Sequence, residues 1–158
     1  MHLFILRHGE AQNFAPNDAQ RQLTQRGEQE VEQTLLASLN DMEGVNCIYA
    51  SPYIRAQQTA QIASRILRLP VTRCDQLVPD THRADMVSFI ESLRTGSMAG
   101  SASVTPLLVS HQPLVGGFVD WLCGLEYGRH VMGTSALASI EADLIVGDCG
   151  TLRFIRQP

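Results

Sequence analysis

Short apolar runs alternate along the chain with longer segments in which apolar residues recur every three or four positions. The runs predict buried strands, and the spaced positions predict amphipathic helices. The strand-like segments are residues 3–6, 47–50, 71–73 and 107–109, followed by 136–141 and 151–155, which are joined as a hairpin around Gly147 and Asp148.

Four helices are predicted between these strands. Residues 24–43 carry Val31, Leu35, Leu39 and Met42 on one helical face, and residues 54–67 end shortly before Pro70. The remaining two helices are marked by the apolar positions 86, 89, 90 and 93, and by residues 113–122, with Pro113 as the first helical residue. The small residues from 96 to 103 predict a loop.

The alternation of strands and helices predicts a three-layer α/β/α fold with a mainly parallel sheet and an antiparallel edge. With 158 residues and no internal repeat or linker, the chain is expected to form a single domain over residues 1–158.

Charge and composition argue against several classes of function. The net charge of −4 argues against general nucleic-acid binding, and no apolar stretch is long enough to span a membrane. Residues 1–6 are better explained as a first strand than as a signal peptide. The four cysteines are dispersed without paired spacing, which argues against a disulfide framework or a zinc site and favours reduced thiols in a cytoplasm.

The first strand leads directly into Arg7, His8 and Gly9. In open α/β sheets, ligands bind just beyond the carboxyl ends of the strands. A fixed positive charge beside an imidazole favours its neutral form, which can act as a nucleophile. The glycine permits a close backbone approach, so Gly9 is assigned to substrate binding.

Two further strand ends carry matching chemistry. Residues 51–60, Ser-Pro-Tyr-Ile-Arg-Ala-Gln-Gln-Thr-Ala, place Arg55 in a first helical turn, where an arginine and free N–H groups suit phosphate. His111 follows the run 107–109. These ends combine two imidazoles and two guanidiniums without an obvious partner carboxylate. Such a cluster is costly unless an anion occupies it, and phosphate is the natural candidate.

These motifs resemble the histidine phosphatase superfamily, which includes the cofactor-dependent phosphoglycerate mutases and many phosphomonoesterases. Residues 23–28, Leu-Thr-Gln-Arg-Gly-Glu, are similar to the family's Leu-Thr-x-x-Gly segment. The short chain, residues 110–123 and the run 134–139 resemble the SixA-type protein phosphohistidine phosphatases in particular. The resemblance covers nearly the whole chain and implies a phosphoglycerate mutase-like fold.

The residues and the resemblance together suggest roles for the site. His8 is expected to take the phosphoryl group onto a ring nitrogen while a backbone carbonyl holds the other. Arg7, Arg55 and His111 are expected to stabilise the phosphoryl oxygens. The resemblance also implies a phosphate-binding arginine at Arg21.

The proton donor is less clearly indicated. The family's phosphomonoesterases carry an acidic residue in an extra segment after the Arg55 region, and this chain has only a short stretch there, from Asp75 to Asp85. Glu10, Asp18 and Asp80 are candidates, and Asp18 is preferred. The short stretch therefore lacks the family's usual acidic motif and leaves the site open. A protein phosphohistidine fits both features, since imidazole leaves more readily than an alkoxide and an open site admits a folded partner.

The expected function is therefore hydrolysis of phosphohistidine through a phosphorylated His8. The resemblance implies a bacterial histidine-containing phosphotransfer protein as the partner. No metal or organic cofactor is expected, because the arginines and His111 supply the positive charge. The alternatives are a small-molecule phosphomonoesterase or mutase, and a phosphate-binding regulatory module without turnover.

Overall fold

Six strands and four helices make up the regular structure of this computed structural model, which describes residues 1–98 and 103–158. The strands are β1 (His2–Arg7), β2 (Cys47–Ala50), β3 (Val71–Arg73), β4 (Pro106–Ser110), β5 (Leu137–Ala142) and β6 (Gly150–Arg156). The helices are α1 (Gln25–Ala37), α2 (Ile54–Leu67), α3 (Arg83–Met98) and α4 (Leu114–Leu122), and two short 3-10 helices span Asp18–Gln20 and Asp75–Leu77.

All six strands join one sheet in the order β3-β2-β4-β1-β5-β6. The first four of these run parallel to one another, whereas β5 pairs antiparallel with both β1 and β6. This topology confirms the predicted mainly parallel sheet with an antiparallel edge.

The alternation of side chains along each strand divides the core between the two faces of the sheet. In β1, Phe4 and Leu6 face a cluster that includes Val31 of α1 and Ala60 of α2. Leu3 and Ile5 face the opposite cluster, which contains residues of α3 and α4. The sheet therefore lies between two helical layers, as the three-layer prediction requires.

Two helix boundaries differ from the prediction. The helix predicted over 24–43 ends at Ala37, and the chain continues in tight turns in which the Met42 N–H donates to Ser38 O at 3.0 Å and to Leu39 O at 3.2 Å. These turns bury Met42 but leave Leu39 38% exposed, so the shared face was only partly correct. The helix predicted over 113–122 begins at Leu114, with Pro113 at the preceding cap position.

The loop predicted over 96–103 overlaps the end of α3, which continues to Met98. A single glycine such as Gly96 lowers helix stability but does not end a helix whose earlier turns are anchored in the core. Residues 99–102 of that prediction lie outside the described residues. The boundaries of α2 and β3 match the prediction, and the hairpin strands differ from it by one residue at each end.

The order of strands explains how distant segments meet. Because β2, β4 and β1 are parallel neighbours, their carboxyl ends lie at one edge of the sheet. The residues that follow these ends are Ser51, His111 and His8. Across the described part of the chain, no helix combines the length and apolarity needed to cross a membrane.

Candidate active site

The carboxyl edge of the sheet brings together the residues that the sequence assigned to phosphate chemistry. The His8 and His111 rings lie with their centroids 4.9 Å apart. The Arg55 guanidinium reaches His8 from the first turn of α2, with 3.2 Å between Arg55 Nε and His8 Nε2. The three side chains are almost fully buried.

Hydrogen bonds define which nitrogen of His8 carries the proton. Nδ1 lies 2.8 Å from the Gly9 carbonyl oxygen, which can only accept, so Nδ1 is the donor. Nε2 then holds the lone pair and accepts from the Arg55 Nε–H. The predicted backbone-carbonyl contact is thus present, and Nε2 has the form required for nucleophilic attack.

Both imidazoles are uncharged at neutral pH. Burial, reinforced by the positive charges of Arg55 and Arg7, lowers the pKa of His8 to about 4, although the hydrogen bond to Gly9 opposes this change. Burial and then the neighbouring His8 lower the pKa of His111 to about 2. Two adjacent imidazoles beside two guanidiniums can avoid mutual repulsion only by staying neutral.

One of the two arginines, Arg55, does have a carboxylate partner, contrary to the expectation from the sequence. Asp18 lies at the start of a 3-10 helix, and its Oδ2 accepts from Arg55 Nη2 at 2.9 Å. Its backbone carbonyl accepts from Arg55 Nη1 at 2.6 Å. Asp18 is distant from Arg55 in sequence and is brought to the site by an irregular loop, so periodicity gave no signal for this pairing.

The contacts of Asp18 favour its ionised form, and the donor role preferred above stays a prediction. Burial raises the pKa of this carboxyl, but hydrogen bonds from Arg55 and Arg21 outweigh burial and place the pKa below its ordinary value. Of the other candidates, Glu10 Oε1 accepts from the Thr24 hydroxyl at 2.7 Å. Asp80 is exposed in the connection between β3 and α3.

Two buried nitrogens of the site have no hydrogen-bond partner among the described residues. One is Arg7 Nε. The same guanidinium donates from Nη1 to the Met132 carbonyl oxygen at 2.6 Å. The other is His111 Nδ1, on a ring whose Nε2 contacts Ser51 Oγ at 2.7 Å. Burying polar groups without partners is costly, so these atoms are suited to receive an anionic ligand.

The backbone groups of Gly9 both have partners within the protein, and its substrate-binding role stays a prediction. Its carbonyl is used by His8, and its N–H donates to Thr59 Oγ1 at 3.1 Å. A Cβ at this position would lie 2.7 Å from Gly27 O in α1. Gly9 lacks a side chain because the His8 loop packs against α1.

Arg21 lies beside Asp18, which connects it to Arg55 and the site. Its Nε donates to Gln12 O at 2.6 Å and its Nη1 to Asp18 Oδ1 at 3.1 Å. Its positive charge contributes to the lowered pKa of His8, after burial and the closer arginines. Contact with a phosphoryl group stays a prediction for this residue.

Three supporting groups were missed by the sequence analysis. Thr59 Oγ1 accepts from Gly9 N–H and donates to Arg55 O at 2.8 Å, which ties the nucleophile loop to the arginine helix. The spacing of four between Arg55 and Thr59 on one helix face was a usable signal. Ser51 also lay within the quoted motif. The Met132 carbonyl is a backbone group and left no signal in the sequence.

The remaining histidines have other partners or none. His2 contacts Ser139, and His130 pairs with Asp120, whereas His82 is exposed. Within residues 1–98 and 103–158, no three His, Cys, Asp or Glu side chains converge on a position that could hold a metal ion. All four cysteines are unpaired.

The lowered histidine pKa values predict a pH-dependent stability. In the unfolded chain His8 titrates near pH 6.5, whereas in the folded protein it stays neutral down to about pH 4. Protons therefore bind the unfolded state first as the pH falls, and stability that is complete above pH 6.5 is lost toward pH 4. His8→Gln should reduce the loss between pH 7 and pH 5 by up to about 2 kcal/mol.

Urea unfolding of both proteins at pH 7 and pH 5 measures this difference. His82→Gln, at an exposed position, is the matched control. An identical pH dependence in wild type and His8→Gln would show that burial does not depress the His8 pKa.

Comparisons with known proteins find similarity to phosphatases, in agreement with this geometry. Residues 3–78 match the profile of the histidine phosphatase superfamily (branch 1). The chain is 34% identical over 148 residues to the phosphohistidine phosphatase SixA of Escherichia coli strain K12, covering 90% of this chain and 86% of that protein. It is 33% identical over 133 residues to the Haemophilus influenzae SixA homolog, covering 78% of each chain.

A solved structure shows the same similarity over the full length. The protein histidine phosphatase SixA complexed with tungstate superimposes with a TM-score of 0.87 and 29% sequence identity. The match covers 100% of this chain and 97% of that one. The described fold is therefore also the fold of an oxyanion-binding protein.

Proposed function

Because the chain belongs to the histidine phosphatase superfamily, we propose that it is a protein phosphohistidine phosphatase that works through a phosphorylated His8. The two curated relatives support the substrate class, since both are named for phosphohistidine phosphatase activity or as a homolog of that enzyme. The observation that carries the proposal is the pairing of Asp18 with Arg55 and Arg21, which lowers the pKa of this carboxyl and favours its ionised form.

The site can perform phosphoryl transfer in two steps. His8 Nε2 attacks the phosphorus in line with the leaving imidazole, while Nδ1–H stays bound to the Gly9 carbonyl. Arg7, Arg55 and His111 donate to the phosphoryl oxygens as the P–N bond to the substrate breaks. Water then attacks the phosphorus of phospho-His8, which releases inorganic phosphate and restores the imidazole.

Leaving-group chemistry explains why an ionised Asp18 fits this reaction. A phosphohistidine can be protonated on its imidazole before it departs, whereas an alkoxide needs a positioned acid. The connection between β3 and α3 spans only residues 74–82, which is too short to form the extra acid-bearing segment of the family's phosphomonoesterases. Hydrolysis of the proposed substrate therefore requires less acid catalysis by the protein than hydrolysis of a phosphate ester does.

A surface cleft beside the Asp18 side of the site is compatible with the approach of a substrate from solvent. This cleft of about 370 Å³ adjoins Asp18 and Arg21, and its other lining residues are Asn13, Ala15 and Asn17. Both curated relatives are bacterial proteins. We extend the proposal to a bacterial histidine-containing phosphotransfer protein as the partner, with dephosphorylation in the cytoplasm.

A comparison of three substrate classes tests the proposal. A phosphohistidine protein or phosphoramidate should be hydrolysed fastest, p-nitrophenyl phosphate slowly, and a sugar phosphate slowest, because the leaving group becomes poorer in that order. The measurement is phosphate release by purified protein. Asp18→Asn should change all three rates by a similar factor, whereas a proton donor at Asp18 would be needed most by the two esters.

Two outcomes would favour the alternatives. Faster hydrolysis of the sugar phosphate than of phosphohistidine would place the small-molecule phosphomonoesterase or mutase first. Tungstate binding without turnover of any substrate would indicate a phosphate-binding regulatory module.

A further inference from the structure

Ser51 is a fully buried residue at the carboxyl end of β2, and its hydroxyl contacts the His111 ring. The distance between Ser51 Oγ and His111 Nε2 is 2.7 Å, which is within hydrogen-bond range. His111 itself is 1% exposed. The pair is therefore shielded from water, and the direction of its hydrogen bond is set by the protein.

The hydroxyl hydrogen of Ser51 decides that direction. Within the described residues, the hydrogen-bond partners of Ser51 Oγ are His111 Nε2 and the Tyr53 backbone N–H, at 3.4 Å. A backbone N–H can only donate, so the Ser51 hydrogen can be satisfied only by a lone pair on His111 Nε2. The opposite direction would bury the hydroxyl hydrogen without a partner.

The neutral state of His111 agrees with this arrangement. Burial, followed by the neighbouring His8 ring and the charge of Arg55, lowers the pKa of His111 to about 2, although Asp18 opposes this change. A neutral imidazole has one N–H and one lone pair. With the lone pair at Nε2, the hydrogen is on Nδ1, the buried nitrogen without a partner in the described structure.

We propose that Ser51 is a positioning residue whose hydroxyl fixes the neutral tautomer of His111, so that Nδ1–H donates to a phosphoryl oxygen. The proposal rests on the phosphoryl-transfer function argued above. In the other tautomer, the Nδ1 lone pair would meet an anionic oxygen and repel it. Ser51 therefore acts through His111 and has no contact of its own with the reacting atoms.

Ring nitrogen chemical shifts of the unmodified protein test the proposal directly. At pH 7, ¹⁵N NMR should show His111 protonated on Nδ1 and unprotonated on Nε2, with His111→Ala used to assign the signals. In Ser51→Ala, the Nε2–H tautomer should become populated, because free histidine favours it. A wild-type His111 protonated on Nε2 overturns the proposal, whether or not the variant folds.

Oxyanion binding tests the consequence for the site. Tungstate affinity should fall about 10- to 100-fold in Ser51→Ala, as expected when one hydrogen bond to a charged group is lost. In a His111→Ala background the same change should have no further effect. A matched control is Ser139→Ala, because Ser139 Oγ also lies 2.7 Å from a histidine Nε2, that of His2, at the other end of β1.

The results separate this inference from the proposed function. Unchanged tungstate affinity in Ser51→Ala, or an equal loss in Ser51→Ala and Ser139→Ala, overturns the positioning role. So does a full additional loss in the His111→Ala background, since the effect would then not pass through His111. If tautomer and affinity behave as expected but phosphohistidine is not hydrolysed, the proposed function fails and the role of Ser51 in oxyanion binding stands.

Discussion

Replacing His8 with alanine is expected to abolish turnover, with a loss of about 10⁴-fold or more, because the covalent step then has no nucleophile. The fold should survive, since His8 lies in the loop after β1 and its side chain bonds within the described residues only to its neighbour Gly9 and to Arg55. Wild type exposed to a labelled phosphodonor and denatured in alkali should carry label that acid removes. The His8→Ala variant should carry none.

The control for this experiment is His82→Ala, an exposed histidine outside the site. It should retain both the label and the turnover. Circular dichroism of each variant checks the fold. Turnover near the wild-type rate in His8→Ala would exclude His8 from the mechanism, and label on that variant would indicate another phosphorylated residue.

Arg55→Ala and Arg7→Ala are expected to lower kcat by about 10²–10³ each, because each removes donors to the transferring phosphoryl group. The two differ in their other contacts. Arg55→Ala also leaves Asp18 with Arg21 as its remaining arginine partner, so the carboxylate charge near the site is less well compensated. Arg7→Ala leaves the Met132 carbonyl without its donor. Tungstate binding should weaken in both variants, and more strongly in Arg55→Ala.

Asp18→Asn separates the two effects of losing Arg55. This change removes the carboxylate charge but keeps the guanidinium, so tungstate affinity should be retained or increased. Arg26→Ala, which removes an exposed arginine paired with Glu30, controls for loss of positive charge alone. Unchanged tungstate affinity in both Arg55→Ala and Arg7→Ala would place the oxyanion pocket elsewhere.

Local patterns in the sequence were sufficient to predict the strands of the sheet and to place His8, Arg55 and His111 at strand ends or in a first helical turn. Apolar runs identified the strands, and the residue after each strand end identified the candidate chemistry. The start of α2 was predictable because the apolar run 47–50 ends shortly before it, which placed Arg55 correctly in a first helical turn. These features depend on a few neighbouring residues, and such patterns are readable without tertiary information.

Contacts between irregular segments were not predictable in this way. The loop after β1 folds so that Asp18 reaches Arg55, and no periodic pattern reports the path of a loop. Gly9 illustrates a different limit, since a glycine after a strand is compatible with ligand approach and with close packing. Only the position of α1 distinguishes the two, and it shows that packing explains this glycine.

The contact between the His8 loop and α1 also restricts how this part of the sequence can vary. A Cβ on Gly27 would lie 2.2 Å from the Glu10 carbonyl oxygen, just as one on Gly9 would lie 2.7 Å from the Gly27 carbonyl. The two glycines face each other across one seam, so a larger residue on either side forces the loop away from the helix. Gly27 should therefore tolerate substitution as poorly as a catalytic residue does. The loss of activity would arise from a displaced His8 and not from the removal of a reacting group.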